Sequence, residues 1–202
     1  MKLIFLFYFL YPINYVAFQK LKKNWNEHTA YKVELIPIQA VPEIPEQGLD
    51  ILHYLTEKYG SVAAKRKLEM VKFAAYSEDV VIDIEHMKRM PNSQLAHQAI
   101  LALEHNFDQL ALTQALFHAL FAHGQDISNP AVLKTIIEGI GLDGAHVMRS
   151  IQHKDIADHQ KELTQYVHAL GAHPIPYFIV DGRITDHTFI VQELRKPLQD
   201  AS

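Results

Sequence analysis

A chain of 202 residues, 49% hydrophobic and 21% charged, has the make-up of a soluble globular protein with a substantial core, in one domain or one domain with a large insertion. Its formal net charge of -4, from 19 Lys+Arg against 23 Asp+Glu, supplies no basic field for nucleic acid. The absence of cysteine excludes disulfides, thiolate nucleophiles, iron–sulfur ligation and cysteine-based zinc sites, and is what a reducing cytoplasm allows.

Residues 3–9 form a Leu/Ile/Phe/Tyr run that predicts a central strand covered on both faces. Lys2 and this run imitate the start of a signal peptide. Pro12 and Asn14 arrive early, however, no small-residue cleavage site follows, and the run is too short to span a bilayer, so a buried strand is the expectation. Pro12 sits where a helix begins and its missing N–H is harmless. Ile13, Val16, Ala17, Leu21 and Trp25 then share one helical face, with Lys20, Lys22 and Lys23 late in the helix, where its dipole favours cations. A second strand is expected over Lys32–Pro37, followed by an irregular link through Pro37, Pro42 and Pro45.

From Gly48 to about His159 the pattern is helical almost throughout. Helices are expected up to Tyr59, from Ser61 through Tyr76, over Gln109–His123, after Asn129-Pro130 and after Asp143. The period then changes to a β run at Tyr177–Val180, an Asp181-Gly182 turn suited to a type I′ hairpin, a short returning strand and a closing helix in "HTFIVQELRKPL". Strand–helix–strand, a helical block and helix–hairpin–helix make an α/β domain split by a helical insertion.

Four stretches in this order carry a resemblance: "YPINY" after the first strand, "PEIPEQGLDILHYLTEKYG" after the second, "NSQLAH" at residues 92–97, and "GAHPIPYFIVDGR" near the end. They resemble the DsbA family of thioredoxin-like proteins, in particular its FrnE-like branch and the related 2-hydroxychromene-2-carboxylate isomerases and kappa-class glutathione transferases. The resemblance implies a thioredoxin fold with a large all-helical insertion, residues 1–46 and 160–202 forming the thioredoxin-like part and 47–159 the insertion. It also implies a cis-proline at Ile175-Pro176 facing the active-site turn, leaving a backbone edge where an extended peptide or glutathione can bind in strand fashion.

Where the family has C-P-x-C, this chain has Tyr11-Pro12-Ile13-Asn14, so dithiol exchange by its own side chains is impossible. Kappa-class and isomerase relatives have serine at the first position and bind glutathione, whose sulfur supplies the chemistry. Tyr11 can imitate that serine, because a phenol at a helix N-terminus can donate a hydrogen bond to a thiolate. Asp186 is the one residue that answers to the relatives' cofactor-binding segment after the late hairpin. The candidate catalytic residues are thus Tyr11 and Asn14, and the candidate ligand-binding residues Tyr11, Pro12, Ile13, Asn14, Ile175, Pro176 and Asp186.

The 13 histidines lack metal-site spacing: no His-Glu-x-x-His is present, and His118 and His123 are too far apart for one helical face. The densest group, His153, Asp155, Asp158 and His159, reads as helix surface, and no metal is expected. His97 of "NSQLAH" reads first as a structural hydrogen bond between the helical block and the thioredoxin core. Three functions remain. The leading one is a redox-inactive DsbA-like protein of oxidoreductase ancestry that binds a small thiol or peptide in its groove. The others are a glutathione-dependent transferase or isomerase, with glutathione its only candidate cofactor, and a structural or homodimerising domain. A cytoplasmic location, without nucleic-acid or membrane partners, is expected for each.

Overall fold

A computed structural model describes residues 2–25, 32–41, 44–83, 86–169 and 176–186. Its main sheet contains β1 (Lys2–Phe7), β2 (Lys32–Pro37), β5 (Tyr177–Val180) and β6 (Arg183–Asp186), in the order β2-β1-β5-β6. β1 runs parallel to β2 and antiparallel to β5, so the apolar run at the start of the chain is a central strand, as its continuous hydrophobicity predicts. The β1–β2 ladder stops at Phe7–Pro37, short of the expected residue 9. The Tyr8 N–H, which a longer strand would use in the ladder, donates instead to Asn14 Oδ1 at 3.3 Å.

α1 (Pro12–Asn24) has Pro at its first position and Lys22 and Lys23 in its last turn, and it buries Val16, Ala17, Phe18 and Leu21. The late hairpin has the predicted turn: Asp181 and Gly182 both take positive φ, 46° and 82°, as type I′ requires. The closing helix expected in the last residues lies outside the described part of the chain.

Between β2 and β5 come α2 (Ile51–Tyr59), α3 (Ser61–Ser77), α4 (Gln94–Leu101), α5 (Asn106–His123), α6 (Pro130–Gly139), α7 (Gly144–Ser150) and α8 (Lys154–Ala169). Asp50, Asn129 and Asp143 cap α2, α6 and α7 with side-chain oxygens on first-turn amides. The helical pattern concealed a short antiparallel bridge, β3 (Leu49–Asp50) with β4 (Arg89–Met90). Gly48 makes it possible: at φ 75° a Cβ would lie 2.6 Å from the Met90 carbonyl oxygen, so only glycine allows this approach.

Helical block and sheet share one core. Phe117 of α5 packs its ring against Phe7, Phe9, Tyr15 and Phe18, with centroids 4.8–5.7 Å apart. Phe5 stacks on Phe178, its cross-strand neighbour, at 4.8 Å. Such aromatic pairs add to burial energy and hold α5 against the sheet. No described helix is long and apolar enough to cross a membrane.

Candidate functional site

The end of β1 delivers the chain to the N-terminus of α1, where Tyr11 is the cap residue with extended backbone and no side-chain capping bond. Asn14 supplies the order this turn needs. Fully buried, it accepts the Tyr8 N–H through Oδ1 and donates through Nδ2 to the Tyr11 carbonyl at 3.2 Å. Its own N–H donates to the same carbonyl at 2.8 Å. Asn14 is thus a clamp across the turn, its amide engaged by backbone on both sides.

Tyr11, Pro12 and Ile13 are half-buried, so the rim of the turn reaches solvent while its base does not. The Tyr11 ring meets Tyr8 edge-to-face at 5.2 Å, and the Tyr8 hydroxyl points to the Val41 carbonyl at 3.5 Å. Pro176 is buried, and because Leu6 pairs with Tyr177, the same register sets Pro176 across from Phe7, where β1 runs into the turn. Ile175, and with it the Ile175-Pro176 peptide bond, lies outside the described residues. Asp186 is placed only through its backbone, at the end of β6 opposite Tyr177.

The sequence reading gave no role to Lys58. Lys58, in the last turn of α2, has its pKa raised, first by its 2.9 Å hydrogen bond to the Tyr54 hydroxyl; burial opposes the shift, and the fields of Tyr54, Tyr59 and Tyr11 add to it. The Tyr11 contribution is the smallest of these. No local pattern marks this lysine, since its relation to Tyr11 exists only once α2 is docked.

His97 is structural, but its hydrogen bond joins two helices, and it meets the residues after β1 only through its ring. Its ring is fully buried, stacks on Phe9 at 5.3 Å and tilts against Tyr8 at 5.7 Å, while Nδ1 bonds Gln160 Nε2 of α8 at 3.2 Å. With the Gln160 amide nitrogen donating, the neutral ring carries its proton on Nε2, which has no partner. Burial lowers the His97 pKa to about 3, so the ring is neutral at physiological pH. Just before α4, the buried hydroxyl of its N-cap residue Ser93 is also unpartnered.

Among the described residues no three His, Asp or Glu side chains converge as metal ligands would. The 153–159 group is helix surface, with Asp158 paired to Lys154 at 3.3 Å. His118 and His123 do meet, rings edge-to-face at 4.8 Å, against the expectation from their spacing: His123 is the last residue of α5, followed by left-handed Gly124, and is not confined to mid-helix geometry.

A strand–helix–strand start, a clamped turn at a half-buried helix N-terminus and a proline-led late hairpin agree with a family profile, the DSBA-like thioredoxin domain, which matches residues 2–199. The chain belongs to the DsbA-like thioredoxin family. Solved structures share the fold of this DsbA-like chain at low identity. A probable DsbA oxidoreductase from Streptomyces coelicolor superposes with a TM-score of 0.83 at 19% identity, over 98% of this chain and 93% of its own. For a 2-hydroxychromene-2-carboxylate isomerase the values are 0.73 and 16%, over 96% and 93%. For the cytosolic disulfide reductase DsbM from Pseudomonas aeruginosa, solved with GSH, they are 0.70 and 17%, over 97% and 100%. No curated protein matches the chain. This DsbA-like chain lacks any cysteine, so its fold is that of oxidoreductases while its side chains cannot perform dithiol exchange.

Proposed function

We propose that this DsbA-like protein binds a thiol or extended peptide ligand in the groove between the Tyr11-Pro12-Ile13-Asn14 turn and Pro176, with no thiol chemistry of its own. The observation that carries this reading is the Asn14 clamp, which keeps the turn and the helix N-terminus ordered after the loss of both cysteines. The start of α1, where the helix dipole favours an anion, and the half-buried Tyr11 beside it form one side of the ligand's place. A thiolate, or the carboxylate of a peptide-like thiol, suits that side. Pro176 completes the reading as the opposite wall, to which the family resemblance adds Ile175 and Asp186.

The half-buried Tyr11 at the start of α1 also favours a second reading, a glutathione-dependent transferase or isomerase. In it Tyr11 donates to the glutathione thiolate, and the reactive sulfur belongs wholly to the ligand.

Calorimetric titration with glutathione and with an extended peptide tests both. Saturable binding is expected, with Tyr11→Phe weakening the thiol ligand about tenfold, the effect of losing one hydrogen bond to a charged group. Pro176→Ala is expected to weaken binding more than it lowers the unfolding midpoint. Failure of both ligands to bind overturns the groove reading, and transferase activity unchanged in Tyr11→Phe overturns the second. Insulin reduction by the protein alone is expected to be nil.

A further inference from the structure

α3 turns Ala64 and Ala75 into the core, yet its opposite side leaves Val62 83%, Met70 65%, Phe73 76% and Tyr76 85% exposed, and Val81 just beyond it is 62% exposed. At helical periodicity Val62, Arg66, Glu69, Met70, Phe73 and Tyr76 fall within one arc of about 120°, Glu69 being paired to Lys72 at 3.3 Å. Single exposed apolar residues are ordinary, but a contiguous stripe with two aromatic rings marks an interaction surface.

Charge identifies what covers it. α3 has no acidic residue in its first turn and no basic residue in its last; Lys65, Arg66 and Lys67 follow its start, and Glu78 and Asp79 follow its end. That order is the reverse of what the helix dipole favours. A second α3 packed antiparallel corrects both ends at once, bringing Lys65 and Arg66 against the partner's Glu78 and Asp79. Glu78 is held within the chain by Lys20 at 3.3 Å and Lys23 at 3.9 Å, but the Asp79 carboxylate, with Lys23 at 3.6 Å, is 95% exposed and open to a further cation.

The apolar residues repeat this symmetry. About a two-fold axis near Val71, Met70 meets the partner's Phe73, Val62 meets the partner's Val81, and Lys65 and Arg66 reach the partner's Tyr76. Each contact occurs twice, as an isologous interface demands, and sulfur–aromatic and cation–π pairs are favourable. The two rings alone offer about 300 Å² for burial. Val62, Met70 and Val81 extend this toward the roughly 800 Å² per partner of a standard interface.

We propose that α3 is a homodimer interface, its Val62–Tyr76 face packing antiparallel on the same face of a second copy. The readout requires no ligand and is independent of the groove. Sedimentation of the full chain over a concentration series is expected to show a reversible monomer–dimer equilibrium, and Phe73→Glu to raise the dissociation constant about tenfold or more. The absence of cysteine gives a second test. A single cysteine in Met70→Cys or Phe73→Cys is expected to cross-link two chains on mild oxidation, while Glu162→Cys on exposed α8 does not. A monomer at every concentration, a dimer unaffected by Phe73→Glu, or equal cross-linking at residue 162 overturns the proposal; the first would leave the stripe to a different partner.

Discussion

Asn14 and His97 are both fully buried polar residues in one core, and they are satisfied to different degrees. Asn14 uses both ends of its amide on backbone within six residues, whereas His97 reaches across 63 residues to Gln160 and leaves Nε2 without a partner. A local clamp can be completed by the turn that it clamps. A distant one depends on where another helix docks, and here α8 provides for a single nitrogen. The contrast separates a residue that organises the candidate site from one that joins two helices behind it.

The largest effect should come from putting a charge into the clamp. Asn14→Asp keeps the acceptor for the Tyr8 N–H but loses the donor to the Tyr11 carbonyl and buries a carboxylate, and roughly 3–5 kcal/mol of destabilisation is expected at neutral pH. Asn14→Ala, which orphans the buried Tyr8 N–H, should lose about 1–3 kcal/mol. Denaturant unfolding of the two variants reads both, and a neutral Asn14→Ala would show that the turn does not need its clamp.

His97 responds to acid instead. Its folded pKa of about 3 lies below the ordinary 6.5, so the unfolded chain binds the extra proton, and this contribution to stability is full above pH 6.5 and declines as pH falls toward 3. The slope in that window should approach about 1.4 kcal/mol per pH unit. His97→Leu, close in volume and not titratable, should flatten it; an unchanged acid profile would assign the loss to carboxylates. The smallest effect is the coupling of His97 to Gln160. A double-mutant cycle with His97→Ala and Gln160→Ala should give about 1 kcal/mol, and additivity would mean that their hydrogen bond contributes nothing net.

Much of this fold is legible in the sequence because its signals are local. The uninterrupted apolar run of β1, Pro12 at the helix start, the caps Asn129 and Asp143, and Asp181-Gly182 each act within a few residues, and the structure has them where their chemistry places them. Less of the candidate site was legible. The turn could be located from "YPINY", but the direction of the Asn14 amide depends on how β1 enters α1, and Gln160 beside His97 has no neighbouring-sequence signature. The β3–β4 bridge was missed for a related reason: each strand has two residues, too few to set a period.

By itself, then, the sequence determined that no sulfur chemistry can originate in this chain, that a helix begins at Pro12, and that the β run with its type I′ turn returns near the end. These follow from composition and from backbone preferences acting over a few residues. Only the tertiary structure decided that Asn14 closes the turn upon itself, that His97 is buried beyond protonation at neutral pH, and that α3 turns two aromatic rings outward. Each of those depends on which elements pack together, and hydrophobic burial, being non-directional, specifies that only through the assembled core.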